Sequence, residues 1–283
     1  MPDKEKVKIY FPDAQIKIGF IAGWQEMFID ILKSRELIWR LFLRDFNARY
    51  KQSVLGVLWV LIMPLVVVGV FIYLNKGGII NIGDIDVPYP VFALFGISVW
   101  NLFSTGLSSA SNSLVQAGSM IVKINFPRVS LVVASTGQAV VEFLVRLGLL
   151  VLVFAAFKVI PCWTVIFLPF MLLPLFLLTL GLGFFLSLAS GVLRDTPNVI
   201  VLVTTFLMFF CPVVYPIPKT GIFAGLNQWN PLAYLITGSR DIVFKGIVSS
   251  PGGFILSSVF AILIFLIGWR VFHIAQTKIA ERI

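Results

Sequence analysis

The chain has 283 residues, of which 59% are hydrophobic and 12% charged, and its mean hydropathy is +0.98. A soluble domain carries about 25% charged residues because its surface faces water. This composition excludes a water-facing globule and favours an all-α integral membrane protein whose apolar surface faces lipid. The net charge of +9 does not indicate a nucleic-acid partner, since the basic residues lie between apolar runs and at the chain ends.

The N-terminal region and the cysteines carry no sign of processing or of a metal site. No short basic segment leads into an early apolar core, so no cleaved signal peptide is predicted. Cys162 and Cys211 are far apart in apolar surroundings. This placement favours two small buried side chains over a disulfide, and the spacing does not fit a metal site.

Six apolar stretches are long enough, or nearly so, to cross the bilayer as helices. About 20 apolar residues are needed to cross roughly 30 Å of hydrocarbon. The predicted spans are residues 54–74, 91–110, 129–157, 165–193, 199–214 and 254–269. The fifth is short and ends in the helix-breaking sequence CPVVYPIP. They define an N-terminal region (1–53), a transmembrane domain (54–272) and a C-terminal tail (273–283).

The distribution of Lys and Arg predicts the orientation of these spans. If the N-terminus is cytoplasmic, the inside segments hold sixteen Lys and Arg and the outside segments five, with Arg146 inside a span. Positive charge near span ends favours the cytoplasmic side. Six spans therefore place both termini in the cytoplasm.

An amphipathic helix is predicted at about residues 24–50, before the first span. At 100° per residue, one face is apolar and aromatic and the other is charged. The apolar face comprises Trp24, Phe28, Ile31, Ile38, Trp39, Phe42 and Phe46, and the charged face Glu26, Lys33, Arg40, Arg44 and Lys51. This pattern is typical of a helix in the membrane interface. Packing on a partner domain is the alternative, and the two are compatible.

Two other connections are not simple loops. Residues 215–253, on the outer side, alternate Pro, Gly and Asn with apolar stretches too short to span. Such segments dip into the membrane and return, and their backbone must be buried in protein or line a water-filled cavity. We therefore predict a re-entrant outer segment. Residues 114–128 form a cytoplasmic connection with one or two helical turns, ending in Phe-Pro-Arg.

No catalytic centre emerges from the motifs. There is no glycine-rich phosphate loop. His273 fits a snorkelling residue at the cytoplasmic end of the sixth span better than a general base. Asp84 and Asp86 have the spacing of a metal–nucleotide site, but they lie in a predicted outer loop and fit a solvated turn better. The motifs therefore indicate neither an enzyme nor an energy source in this chain.

One charge pair lies within a predicted span. Glu142 and Arg146 are four residues apart, so they share a helix face and can pair. Intramembrane charges are functional candidates by default. The alternative is a structural pair that faces the bundle interior without contacting substrate.

The sequence RDFNARYKQSVLGVLW, within residues 37–65, resembles the opening of the permease subunits of type-2 polysaccharide ABC exporters. The supporting matches are NFPR before the third span, Arg194-Asp195 after the fourth, and WNPLAYL followed by Arg240-Asp241 before the sixth. The resemblance runs from about residue 37 to the end of the chain, in the same order and with the same six-span layout.

The resemblance implies a homodimer of this chain on two copies of a separate ATPase, which would bind ATP and Mg. The permease and the ATPase together would export lipid-linked, O-antigen-like polysaccharide across the inner membrane. Residues expected to couple to the ATPase are Arg40, Arg44, Lys123, Arg128, Arg194 and Asp195. Pore and gate candidates are Glu142, Arg146, Tyr215, Trp229, Asn230, Pro231 and Tyr234. Aromatic faces could line the path, because they stack on sugar rings without requiring one hydroxyl pattern.

Three other functions are compatible with parts of the pattern. A small-molecule or drug exporter of the same class shares the six spans. A membrane-embedded sugar transferase would need a carboxylate cluster, and the cytoplasmic connections between spans offer only Asp195. A secondary transporter would need midplane ion ligands and usually an internal repeat, and neither is evident beyond the Glu142–Arg146 pair. The sequence does not distinguish among O-antigen, capsule and teichoic acid as the exported glycan.

Overall fold

The computed structural model describes residues 20–51, 54–77, 85–118, 120, 126–217 and 220–279, and α-helix dominates these ranges. The helices are α1 (Phe20–Lys33), α2 (Arg35–Tyr50), α3 (Trp59–Lys76), α4 (Tyr89–Gln116), α5 (Val129–Ala156), α6 (Leu168–Val192), α7 (Thr196–Phe210), α8 (Ile222–Trp229), α9 (Pro231–Phe244) and α10 (Pro251–Ile279). Short 3₁₀ turns precede α3 at Gly56–Leu58 and α6 at Trp163–Phe167. The part of the chain described contains no strand.

Five helical segments are long and apolar enough to cross a membrane. They are Gly56–Leu74, Tyr89–Gln116, Val129–Ala156, Trp163–Val192 and Pro251–Gln276, between 19 and 30 residues long. Each coincides with one of the predicted spans, namely the first, second, third, fourth and sixth. The chain is therefore an all-helical, multi-pass membrane protein.

The predicted fifth span, residues 199–214, is only partly helical. Helix α7 covers Thr196–Phe210, and its 15 residues extend about 22 Å at 1.5 Å per residue. Cys211 then turns to an extended conformation, with φ −102° and ψ 147°. The residue before a proline disfavours helical geometry, so Pro212 accounts for the end of the helix.

Helices α1 and α2 replace the single helix predicted over residues 24–50. Ser34 separates them with φ −88° and ψ 6°, outside the helical range, and its side chain makes no capping hydrogen bond. The predicted apolar face packs only in part: Phe28 and Trp39 are exposed, and the most buried of the described side chains in the two helices are Met27 and Leu41. The Trp24 ring of α1 meets Trp269 of α10 edge-on at 5.8 Å between centroids, and α2 lies along α5.

Helix α4 forms the centre of the bundle. In its most apolar stretch of 18 residues, 78% are buried, compared with 17% in the segment that contains α3. It packs extensively against α5 and α6, and α6 in turn packs against α10. The outward-facing apolar side chains of α3 and α7 remain exposed on the protomer, which suits contact with lipid or another subunit.

The α6–α10 contact depends on glycine, which allows the two backbones to touch. A Cβ atom added to Gly181 would lie 2.6 Å from the Phe265 nitrogen, and backbone cannot yield as a flexible side chain does. We expect Gly181→Ala to lower the free energy of unfolding by about 1–3 kcal/mol through overpacking. Gly148→Ala on α5 is the matched control, because nothing lies within 4 Å of its new Cβ. Thermal unfolding in detergent measures both, and equal melting temperatures would contradict this packing.

Candidate functional site

The Glu142 carboxylate on α5 joins two separate parts of the chain. Its Oε2 accepts a hydrogen bond from Arg146 Nη2 at 3.0 Å, which is the pair within one helix face. Its Oε1 accepts from Arg49 Nη1 at 2.8 Å and from the Tyr50 hydroxyl at 3.0 Å. Arg49 and Tyr50 lie in the last turn of α2. Glu142 therefore connects the end of α2 to α5, the third predicted span.

Burial makes this cluster electrostatically strong. The side chains of Glu142 and Arg146 are 8% and 6% exposed, whereas that of Arg49 is 43% exposed. Opposite charges interact more strongly where water is excluded. Glu142 lies 13 residues after Val129, so the last turn of α2 meets α5 about 20 Å along its axis.

The Tyr50 hydroxyl is kept in its neutral form, in which it donates a hydrogen bond. Burial and, after it, the negative charge of Glu142 raise the pKa of Tyr50 from 10.0 to about 12. A raised tyrosine pKa favours the neutral phenol, so its stabilising contribution is complete below pH 10 and is lost as the pH rises towards 12. At physiological pH the phenol therefore donates to Glu142.

A ladder of aromatic rings leads along α2 to this contact. The centroids of Trp39 and Phe42 are 5.3 Å apart, those of Phe42 and Phe46 5.8 Å, and those of Phe46 and Tyr50 5.0 Å. These residues follow the spacing of three and four that places side chains on one helix face. The aromatic face predicted from the sequence therefore runs directly into the Glu142 cluster.

The predicted coupling residues do not form one cluster. Arg40 pairs with Glu36 at 2.7 Å, with both side chains more than 70% exposed, and Arg44 pairs with Asp45 at 2.7 Å and contacts the Met120 sulfur. Arg128 donates to the Gln276 backbone carbonyl on α10. Arg194 and Asp195 are exposed in the turn between α6 and α7. Lys123 lies outside the described residues.

Most of the predicted gate residues of the outer segment lie at the junction of α8 and α9. Asn230 caps α9 by accepting from the Leu232 N–H at 3.0 Å, and Pro231 occupies its first turn. The Tyr234 hydroxyl donates to the Gln228 carbonyl at 3.1 Å. Trp229, the last residue of α8, also lies at this junction, but its side chain is 89% exposed. Tyr215 lies apart from the junction, and its hydroxyl donates to the Phe209 carbonyl of α7 at 2.8 Å.

Arg240, on the predicted outer side, was not selected as a site residue from the sequence. Its guanidinium is buried on α9 and donates to the Pro212 and Val213 carbonyls at 2.9 and 2.6 Å. It also lies over the Phe92 ring of α4 at 3.8 Å from the centroid. Arg240 thus holds the irregular segment after α7 against α4 and α9. In the sequence, Arg240 was noted only as part of the Arg240-Asp241 pair that supports the resemblance to the exporter family.

The neighbouring Asp241 extends this outer cluster to the surface. Its carboxylate accepts from the Ser249 N–H at 2.9 Å and pairs with Lys245 at 3.7 Å, and Lys245 reaches Asp86 at 3.5 Å. A cavity of about 250 Å³ lies here, lined partly by Arg240 and Asp241. Asp86 is exposed, in agreement with a solvated position, while Asp84 lies outside the described residues.

Three other residues singled out from the sequence, His273, Cys162 and Cys211, lie outside these clusters. His273 is 3% exposed and its Nδ1 is 3.2 Å from Gln276 Nε2. The interpretation of His273 as a snorkelling residue is therefore wrong, because its ring is buried within the protein rather than extended towards the membrane surface. Cys162 and Cys211 are both free thiols.

The sequence matches that of a known family of membrane proteins. The sequence profile of the ABC-2 type transporter family matches residues 36–244, which is most of the chain. The chain therefore belongs to the ABC-2 type transporter family. The matched region begins within α2 and includes Glu142 and Arg240.

Three curated relatives are similar along almost their whole length. The O-antigen export system permease protein RfbA of Myxococcus xanthus is 23% identical over 261 residues, covering 90% of this chain and 98% of the relative. The protein of that name from Klebsiella pneumoniae is 25% identical, covering 84% and 91%. The polysialic acid transport protein KpsM of Escherichia coli is 24% identical, covering 82% and 91%.

Proposed function

We propose that this chain is the permease subunit of an ABC exporter that moves lipid-linked polysaccharide outward across the inner membrane. The observation that carries the proposal is similarity over 91% or more of the length of relatives named for O-antigen and polysialic acid export. These are polysaccharides of different chemistry, so they support the substrate class without selecting one glycan. None of these three relatives is named for drug export or for sugar transfer.

The proposed assembly is a homodimer of this chain with two copies of a separate ATPase, which binds ATP and Mg. The permease itself hydrolyses nothing. Helices α1 and α2, the connection around Arg128 and the turn at Arg194 and Asp195 face the ATPase from the cytoplasm. The exposure of Arg40, Arg194 and Asp195 supports this role, because exposed charges are accessible to a partner surface.

The proposed topology has six crossings with both termini in the cytoplasm. The five long helices account for five, and α7 together with residues 211–214 completes the sixth. Helices α8 and α9 then form the re-entrant outer segment before α10. The burial of Arg240 supports this placement, because the backbone carbonyls that it binds would otherwise lack partners in a water-poor environment.

In the proposed mechanism, the Glu142 cluster transmits movement from the ATPase to the pore. ATP binding shifts α1 and α2, and the contacts from Arg49 and Tyr50 to Glu142 carry that shift into α5. Rigid helices joined by a buried charged contact are suited to this, since such contacts exist in a few discrete arrangements. The polymer then slides through the opened path rather than being carried in one occluded site.

The test is ATP hydrolysis by the purified chain, alone and with the ATPase encoded beside it. We expect no hydrolysis by the chain alone, a stable complex of the two proteins, and hydrolysis by that complex. Failure to bind any ATPase would contradict the proposal. Turnover of a sugar donor by the chain alone would instead favour a membrane enzyme.

A further inference from the structure

A polar recess of about 370 Å³ lies between α4, α5 and α7, beside the end of α2. Eight of its nine lining residues carry polar side chains, although the surrounding helices are strongly apolar. Six of them are hydroxyl residues: Ser104, Thr105, Ser108, Ser109, Thr204 and Thr205. Arg49 and Glu142 complete the polar lining, and no aromatic residue contributes to it.

The hydroxyl groups of this recess can still bind a ligand. Thr204 and Thr205 donate to the carbonyls of Ile200 and Val201 in their own helix, at 2.8 and 2.7 Å, which leaves their oxygens as acceptors. The side chains of Ser104, Thr105 and Ser108 are half-buried and that of Thr205 is exposed, so a ligand in the recess can reach them. The Ser109 hydroxyl is fully buried and is not accessible in the same way.

Charge in the recess is limited. Both oxygens of Glu142 are already bonded, to Arg146 on one side and to Arg49 and Tyr50 on the other. The lining carries one guanidinium group, that of Arg49, and one carboxylate, that of Glu142, so its formal charges balance. The Arg49 side chain is 43% exposed, whereas that of Arg146 is 6% exposed and does not line the recess.

The recess lies within the transmembrane region, away from both helix ends. Ser108 precedes the last residue of α4, Gln116, by eight positions, and Thr204 follows the first residue of α7, Thr196, by the same number. Eight residues correspond to about 12 Å along a helix. At such depth lipid cannot pair with the acceptor positions that these hydroxyls leave free, so the lining is suited to water or a polar ligand.

We propose that this recess contacts the saccharide part of the exported polymer, an inference that rests on the proposed function. Sugar hydroxyls both donate and accept hydrogen bonds, as do Ser and Thr, whose hydroxyl hydrogens rotate to suit the partner. Such a surface can bind successive sugars without requiring one arrangement of sugar hydroxyls, so the polysaccharide can slide along it. A phosphate group would favour several free guanidinium groups, whereas Arg146 is buried and Arg49 already bonds Glu142.

The first test removes hydroxyls from the recess without changing charge. In cells deleted for the native gene, we expect Ser108→Ala/Thr204→Val/Thr205→Val to reduce surface polysaccharide about tenfold, equivalent to roughly 1.4 kcal/mol. ATP hydrolysis by the purified complex should persist. The control is Ser190→Ala/Ser258→Ala, which removes two hydroxyls bonded to their own helices outside the recess.

The outcomes separate this inference from the proposed function. If the wild-type chain exports polysaccharide and the triple variant exports equally well, the recess proposal is overturned while the proposed function stands. If the wild-type chain restores no export, the proposed function fails and the recess proposal fails with it.

A direct binding measurement covers the case in which the triple variant does not fold. The purified permease–ATPase complex carries Ser108→Cys with Cys162→Ala/Cys211→Ala, and maleimide labelling is followed with maltohexaose or inorganic pyrophosphate present. We expect maltohexaose to slow labelling several-fold at position 108 and not in the matched Ser258→Cys chain. Protection by pyrophosphate alone, or by neither probe, would contradict a saccharide site.

Discussion

Glu142→Gln is expected to abolish most export and to destabilise the protein. The substitution leaves the buried Arg146 guanidinium without its counter-charge, and breaking a buried pair from one side costs about 3–5 kcal/mol. It also weakens the bonds that Arg49 and Tyr50 make to the carboxylate. Thermal unfolding of the purified chain and surface polysaccharide in complemented cells measure the two effects.

A double variant separates the structural effect of Glu142 from its proposed role in coupling. Glu142→Met/Arg146→Met replaces both charges of the buried pair with apolar side chains, and such a replacement is often neutral for stability. We therefore expect the double variant to recover the melting temperature while export stays low, because Arg49 still lacks its carboxylate. Normal export by the double variant would show that Glu142 serves only as the counter-charge of Arg146.

Arg240→Met is expected to have the second largest effect, on stability at the outer side. Its loss leaves the Pro212 and Val213 carbonyls without their donor, and each buried unpaired group costs roughly 1–3 kcal/mol. It also removes the cation from the Phe92 ring. We expect a melting temperature several degrees lower, with the segment after α7 released from α9.

Lys245→Met is the matched control for that experiment. Lys245 is also a cation of the outer cluster, but its side chain is 46% exposed and its ion pairs with Asp86 and Asp241 are 3.5 and 3.7 Å long. Exposed pairs of this kind contribute about 0–1 kcal/mol. An equal loss of stability in the two variants would mean that the carbonyl contacts of Arg240 are not what holds the outer segment.

Apolar length was enough to predict five long membrane-spanning helices, while the orientation inferred from charge stays a prediction. The five long spans could be found because each must present a continuous apolar surface to lipid, which is a local property of the sequence. The fifth predicted span was less accurate, since its apolar run continues past Phe210 while Pro212 ends the helix. The apolar character of a sequence does not show where the backbone hydrogen bonds of its helix end.

The contacts that join distant parts of the chain could not be predicted in this way. The spacing of Glu142 and Arg146 indicated a possible pair, and it forms at 3.0 Å. Nothing local indicated that Arg49, 93 positions earlier, would bind the same carboxylate. Arg240 was similarly hidden, because its partners are backbone carbonyls, which every residue carries and no side-chain pattern reveals.

The most direct test of the proposed function is the location of polysaccharide in cells that lack this chain. We predict that deleting the gene depletes surface polysaccharide and causes lipid-linked polymer to accumulate on the cytoplasmic side, and that the wild-type gene restores the surface polymer. Unchanged surface polysaccharide would contradict a role in export. Loss of the polymer both outside and inside the cell would instead place the chain in synthesis.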